Sequence, residues 1–335
     1  MVGLVAQLGR VVRRRSGAES AMPSSSIRER LNAWWHGEAL PPSMLPDSDR
    51  AASAEIPDEN REPREESEEA PAKASPRTER LRAWSPDRID VCAQLWGQGF
   101  ISPGGAEYIL QLAKPLALDP SMSIADLGAG LGGAGRTMAE EFGAWVTGYE
   151  SAATLIERGS KLSEMAGFAK KASIRHFDPE ISVLNRRYDC FFSKENIYTI
   201  SDKKKLFKDI RASLKPNGQI LFTDYVLEDT DDQSASLRDW MNLEPSRPHL
   251  WRPGDMADLL KKLGLDVRIQ EDISEEFLSL VVRGWDKLAK TLVPGGGDRA
   301  FLAALIDEAE LWVRRYAALE SGSLRVYRFY AVANN

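Results

Sequence analysis

The residues whose chemistry can be read first are two carboxylates and a run of alternate glycines. Asp126 closes the apolar run Ser123-Ile124-Ala125, and Gly128, Gly130, Gly132 and Gly133 follow it. Glu150 closes a second apolar run, Trp145 to Tyr149, roughly 20 residues on, the spacing of one strand–helix unit. An apolar run that ends in a carboxylate and breaks into glycines predicts a buried strand, a tight turn and a helix N-terminus. Such a turn lets backbone approach a ligand closely, and a carboxylate at the next strand tip can take both hydroxyls of a ribose. Together they form a seat for a nucleoside. Gly128-x-Gly130-x-x-Gly133 also satisfies the dinucleotide fingerprint. Asp126 tells against that reading, because a carboxylate just inside the glycines repels a pyrophosphate and attracts an ammonium.

The elements that must position these groups follow from the periodicity. Val91 to Trp96 reads as helix, and Gly97 to Glu107 turns into a second one, with Ser102 as its cap and Pro103 at its first position. Strands are predicted at 123–127, 145–150, 172–177, 188–193, 219–224, 266–270 and 324–332, with helices between them. The resulting fold class is α/β: a Rossmann-like seven-stranded sheet, parallel except for the last strand, with helices on both faces. Residues 226–253 read as an irregular segment, and two helices within 274–320 form a helical roof inserted before the last strand, the expected seat of substrate specificity.

Strand tips are where an open parallel sheet does its chemistry. Asp178, Ser193 with Glu195, and Asp224 with Tyr225 fall there, Asp178 also suiting a plain turn before Pro179. The chain has three histidines. His36 lies outside the folded domain, His176 is expected inside the third strand, and His249 is the candidate general base, with Glu195 and Asp224 as carboxylate alternatives. Trp240, Trp251, Trp285 and Tyr316 could enclose a cationic acceptor, although aromatics at helical spacing equally build a core.

Composition bounds the rest. With 335 residues and 43% hydrophobic content, the chain can bury one large domain. A net charge of −6 in mixed signs gives no nucleic-acid footprint. Cys92 and Cys190 cannot make a disulfide framework and no Cys/His cluster suits a metal, which points to a reducing, cytoplasmic setting. Residues 1–40 are expected to be an arm with a short helix around Ile27 to Trp35, docking a protein or a membrane surface. Residues 41–80, rich in Pro, Ser, Glu and Arg, are expected to be a disordered linker, and 81–335 the folded domain.

Asp126-Leu127-Gly128-Ala129-Gly130 resembles motif I of the class I methyltransferases, whose cofactor is S-adenosyl-L-methionine. Within that class, Trp96 to Glu107, Ser193-Lys194-Glu195, Leu214 to Gly218 and Thr223-Asp224-Tyr225 resemble segments of the phosphoethanolamine N-methyltransferase group and its small-molecule neighbours. The likeness covers Trp96 to Tyr225 well. It implies that Ile101 and Ser102 contact the methionine part, Gly128 and Gly130 the backbone side of the cofactor, Glu150 the ribose and Asp178 the adenine. Ser193 would border the sulfonium and Tyr225 the acceptor. The group's catalytic tyrosine and histidine are replaced here, by Trp84 or Cys92 and by Thr199. The implied activity is methyl transfer to nitrogen or oxygen of a small molecule. Carbon methylation of a quinone or isoprenoid-like lipid, and a cofactor-binding regulator without chemistry, are the competing readings.

Overall fold

The computed structural model describes residues 81, 84–227, 234–291 and 298–334. The expected arm and linker, residues 1–80, therefore lie outside the described residues. The chain divides into two compact units, and the one formed by Ser75–Gly284 with Asp298–Asn335 holds the sheet. Of the other, Met1–Ala74 with Trp285–Gly297, only residues 285–291 are described, the end of a helix.

In the sheet-bearing unit the elements run α1 (Pro86–Trp96), α2 (Gly105–Ala113), β1 (Ser123–Leu127), α3 (Gly133–Glu141), β2 (Trp145–Glu150), α4 (Ala153–Met165), β3 (Ala172–His176) and β4 (Tyr188–Lys194). After a first 3-10 turn at Lys114–Leu116, a second (Ile197–Thr199) leads to α5 (Lys203–Ala212), β5 (Leu214–Leu227), α6 (Ala235–Leu243), α7 (Pro253–Lys262) and β6 (Leu265–Asp272). Helix α8 (Ser274–Thr291), of which this unit holds the part up to Gly284, and α9 (Arg299–Glu320) precede β7 (Leu324–Ala333). The strand order is β3-β2-β1-β4-β5-β7-β6. Only β7 runs antiparallel to its neighbours, β5 and β6. The sheet class and the odd last strand read from the sequence are both found.

The central strands are largely apolar in their middles because both their faces are covered. Phe191, Ile220 and Phe222 join one core with Phe207, Met256 and Leu260. Cys190, Phe192 and Leu221 join the other with Ile109, Leu112 and Met138. The two cysteines are thus free and buried as small apolar groups. Strand order reverses beside β1, with β2 on one side and β4 on the other. That switch point opens a crevice at the strands' carboxyl ends, where Asp126 and Glu150 emerge.

Several local expectations are corrected. Helix α2 starts at Gly105, capped by Gly104 at φ 108°, and Ser102 caps nothing there. A side chain at Gly104 would meet the Tyr108 ring at 2.6 Å, so the glycine turn runs two residues further than its serine suggests. Helix α5 ends at Ala212, and Leu214 already pairs with Tyr188 across a bulge in β4–β5, where the strand was expected only from Gln219. The segment expected to be irregular contains α6, which Ser234 caps by accepting from the Leu237 amide. His176 is exposed at the sheet edge rather than buried.

Candidate functional site

The glycine turn after β1 is held by the carboxylate that ends β2. Glu150 Oε2 accepts from the Gly130 amide, while Oε1 accepts from the Ser151 and Ala152 amides that open α4, all at 2.9 Å. Gly128 must be glycine, since its φ is 73° and a Cβ there would meet the Asn196 side chain at 2.2 Å. The turn's amides are spent inside the protein. Gly128 and Ala129 donate to the Tyr149 carbonyl, Gly132 to the Ala129 carbonyl and Gly133 to the Gly99 carbonyl. A pyrophosphate would find these donors already taken, which weighs against the dinucleotide alternative.

Asp126 sits beneath this turn and is 2% exposed. Its Oδ2 has no hydrogen-bond partner, and burial first, then the charge of Glu150, pushes its pKa up to about 7. A buried carboxyl with an idle oxygen beside a second carboxylate is a costly arrangement that an added cation would relieve.

Both acids open into one cavity of about 580 Å³. Phe100, Ile101, Ser102, Gly128, Leu131, Ser151 and Leu155 line its inner end. A smaller cavity of about 60 Å³ adjoins, bounded by Tyr149, Glu150, Phe177, Pro179, Asn196, Ile200 and Leu206. It lies beside Glu150, with Tyr149, Phe177, Ile200 and Leu206 as its apolar walls. Asp178 stands between two of its walls, half-buried, with Oδ1 accepting from the Glu180 amide. It lines neither cavity, so the turn role is what its geometry displays.

The other end of the cavity is built from distant parts of the chain. Lys194 Nζ bridges Ser102 Oγ at 2.7 Å and Glu195 Oε2 at 2.6 Å, and Glu195 Oε1 accepts from Thr223 at 2.7 Å. Glu195 adopts φ 42°, a left-handed conformation costly for a residue with a side chain and typical of functional sites. Tyr225 lines the cavity with Tyr198, their rings 5.0 Å apart and edge-on. Tyr198 is fixed on all sides: its amide donates to Asp224, its carbonyl accepts from the His249 amide, and its hydroxyl donates to Glu244 at 2.9 Å. Glu244 also accepts from Trp240 Nε1 and, at 2.7 Å, from Arg315. A second buried pair joins Arg88 to Glu308 at 2.9 Å, and Glu308 also accepts from Trp312. These pairs tie α9 to α1 and to the end of α6 over the cavity.

Several expected residues stand elsewhere. Ser193 does not line the cavity; its hydroxyl donates to the Leu127 carbonyl at 2.8 Å, joining β4 to the end of β1. Gly130 contributes through its amide to Glu150. His249 is not among the lining residues either, and burial with the nearby Lys203 and Arg247 charges lowers its pKa. The expected base is therefore absent from the cavity wall. Asp224 is fully buried, and burial raises its pKa to about 7; it anchors the Tyr198 turn. The aromatic enclosure of Trp240, Trp251, Trp285 and Tyr316 is not formed, since none of the four lines the cavity. Instead the Arg315 guanidinium covers Tyr225 and Trp312, at 5.4 and 4.4 Å.

Tyr198, Glu244, Arg315, Arg88 and Glu308 escaped the sequence reading. One signal existed: Glu308, Leu311, Trp312 and Arg315 share one face of α9 at helical spacing, and charges on an apolar stripe call for partners. Among the described residues, no cluster of His, Cys, Asp and Glu could hold a metal, and no helix is long and apolar enough to cross a membrane.

Comparison with known proteins accords with this geometry. Phosphoethanolamine N-methyltransferase 1 of Arabidopsis thaliana is 29% identical over 202 residues, which cover 59% of this chain and 39% of that protein. Phosphoethanolamine N-methyltransferase 2 of Caenorhabditis elegans is 33% identical over 144 residues, 41% of this chain and 32% of that protein. The chain thus spans well under half the length of these curated relatives. Haemonchus contortus phosphoethanolamine N-methyltransferase 2, solved in complex with S-adenosyl-L-methionine, superposes with a TM-score of 0.68 at 22% identity, over 79% of this chain and 61% of that one. That likeness speaks for the fold. The methyltransferase domain family model matches residues 102–270, from Ser102 beside the glycine turn to β6, and by that match over half its length the chain belongs to the methyltransferase domain family.

Proposed function

We propose that this domain is an S-adenosylmethionine-dependent methyltransferase that passes a methyl group to nitrogen or oxygen of a small polar acceptor. The observation that carries the reading is Asp126, a buried carboxyl with an idle oxygen in the wall of the cavity that Glu150 shares. A primary ammonium, such as the cofactor's methionine end carries, is the cation it lacks. The residues present fit the rest of the molecule. Ile101 and Ser102 would flank the methionine end, Gly128 and Gly130 would give close backbone approach, Glu150 would receive the ribose hydroxyls, and the small cavity walled by Phe177 and Pro179 would take the adenine.

When bound, S-adenosylmethionine supplies a methyl group already activated by its sulfonium. The protein's task is then to align the acceptor and exclude water, with little acid–base work. Tyr225, Tyr198 and Glu195 border the acceptor, and the α9 charge pairs close over it. Arg88, Glu244, Glu308 and Arg315 among the lining residues favour a polar acceptor over a quinone or isoprenoid-like lipid, because each apolar group placed there would meet buried charge. The relatives' names favour nitrogen. An amine acceptor must arrive with its lone pair free, and with His249 outside the wall that proton is lost before binding or through Glu195.

Calorimetric titration with S-adenosylmethionine and with a nicotinamide dinucleotide, followed by labelled-methyl transfer to panels of amines and hydroxyl compounds, tests the reading. Binding of S-adenosylmethionine alone and labelling of an amine is the expected result. Binding of the dinucleotide, or of neither, overturns it; cofactor binding without transfer to any acceptor marks a regulator that only holds the cofactor.

A further inference from the structure

Helix α5 turns a lysine inward. Lys203, its first residue, is 1% exposed and continues the buried row of Leu206, Phe207 and Ile210. Helical spacing calls for an aliphatic side chain there. A cation is disfavoured twice, by loss of water and by the positive end of the helix, so its retention asks for a task. Its Nζ donates to the Ile197 and Ile200 carbonyls, both at 2.7 Å. Burial lowers its pKa to about 8 against the opposing pull of Asp224 and then Glu180, and the nearby lysine charge helps to lower that of His249.

The two carbonyls bracket Tyr198 and Thr199, and both of these residues line the large cavity. Thr199 also lines the small cavity, with Asn196 and Ile200, so this 3-10 turn is the partition between the two. Such a turn holds itself poorly, because its own hydrogen bonds are few and badly aligned. It is fixed from outside instead. Asp224 on β5 accepts from the Tyr198 amide at 3.0 Å, the His249 amide donates to the Tyr198 carbonyl at 2.7 Å, and Lys203 reaches back from α5 to the carbonyls on either side. Lys203 lines neither cavity, and any effect it has on a ligand passes through the turn.

We propose that Lys203 is a positioning residue for methyl transfer: by clamping the Ile197 and Ile200 carbonyls, its ammonium sets Tyr198 and Thr199 in the wall that the acceptor meets. An aliphatic residue at 203 would fill the space and leave both carbonyls without this donor. The part in methyl transfer rests on the function proposed above, whereas the hold on the turn does not.

The test uses two variants of the full chain. Lys203→Met keeps the stem and removes the donors; Lys203→Met with Asp224→Asn also removes the carboxylate left without its opposing charge. Hydrogen exchange without ligand reads the turn, thermal unfolding reads the fold, and labelled-methyl transfer to a panel of amines reads the reaction. The single variant should unfold at a lower temperature and the double variant should recover most of that loss. Both should exchange at least about tenfold faster in peptides spanning residues 196–200, and in the double variant β1 and β2 should keep the parent's protection. Turnover should fall about tenfold or more in both, with the KM for S-adenosylmethionine within about threefold of the parent's. A double variant that regains the parent's protection and turnover would show that Lys203 only balances Asp224, and would overturn the proposal. So would a turn left unchanged in the single variant, or full turnover from a loosened turn. A parent that transfers no methyl group refutes the methyltransferase reading instead, and the exchange result still decides whether Lys203 holds the turn.

Discussion

Replacing Asp126 by asparagine should make the ligand-free protein more stable and the cofactor bind worse, and both effects should depend on pH. Burial and Glu150 raise the Asp126 pKa to about 7, against about 4 in an unfolded chain. A folded-state pKa above the unfolded one means that stability is lost as pH rises from about 4 through about 7. Three pKa steps correspond to about 4 kcal/mol at and above about pH 8. Asparagine is uncharged and of the same shape, so it removes that burden but adds an amide donor whose desolvation costs about 1–3 kcal/mol. The variant should therefore gain about 1–3 kcal/mol over the parent near pH 8 and gain nothing, or lose slightly, near pH 5. Its affinity for S-adenosylmethionine should drop by about 1.5–3 kcal/mol, the worth of a hydrogen bond to a charged partner. In the parent, an ammonium at Asp126 favours the ionised carboxylate, so cofactor affinity should fall by up to about tenfold per pH step below about 7. Denaturant unfolding at the two pH values and calorimetry across the range measure all three effects. A parent affinity flat across that range, or a variant no better off at high pH than at low, would refute the argument that Asp126 is an unsatisfied receptor for a cation.

Three further outcomes follow from the geometry. Gly128→Ala forces a side chain into a left-handed φ of 73° against Asn196 at 2.2 Å; a loss of about 2 kcal/mol or more in unfolding free energy and loss of cofactor binding by calorimetry are expected. Arg88→Ala leaves Glu308 buried without its cation and should cost about 3–5 kcal/mol by chemical denaturation, whereas Arg88→Met combined with Glu308→Leu should come within about 1–2 kcal/mol of the parent; equal losses in both would show that the ion pair is not the reason. His249→Ala should leave methyl-transfer turnover within about twofold, because only its main chain, bonded to the Tyr198 carbonyl, serves the site; a collapse in the rate with a changed pH profile would restore histidine as a base.

The nucleoside end of the site was legible in the sequence because each of its signals is local. The apolar run before Asp126, the glycines, and the second run ending in Glu150 state strand, turn and strand within short windows, and burying both faces of a parallel sheet demands that pattern. Even here, local reading missed by two residues where Gly104 prolonged a turn that Ser102 seemed to end, and it began β5 late because the bulge pairing Leu214 with Tyr188 is invisible along one strand. The acceptor end belongs to tertiary structure alone. Trp84 and Arg88 before β1, Tyr198 after β4, Glu244 after α6 and Arg315 on α9 meet in one cavity from across the chain. A glutamate or arginine on a helix reads as solvated until a packed neighbour removes its water, and only then must it find the opposite charge. The choice of His249 failed for the same reason: a side chain's chemistry is written in the sequence, but whether it faces the cavity is set by what packs around it.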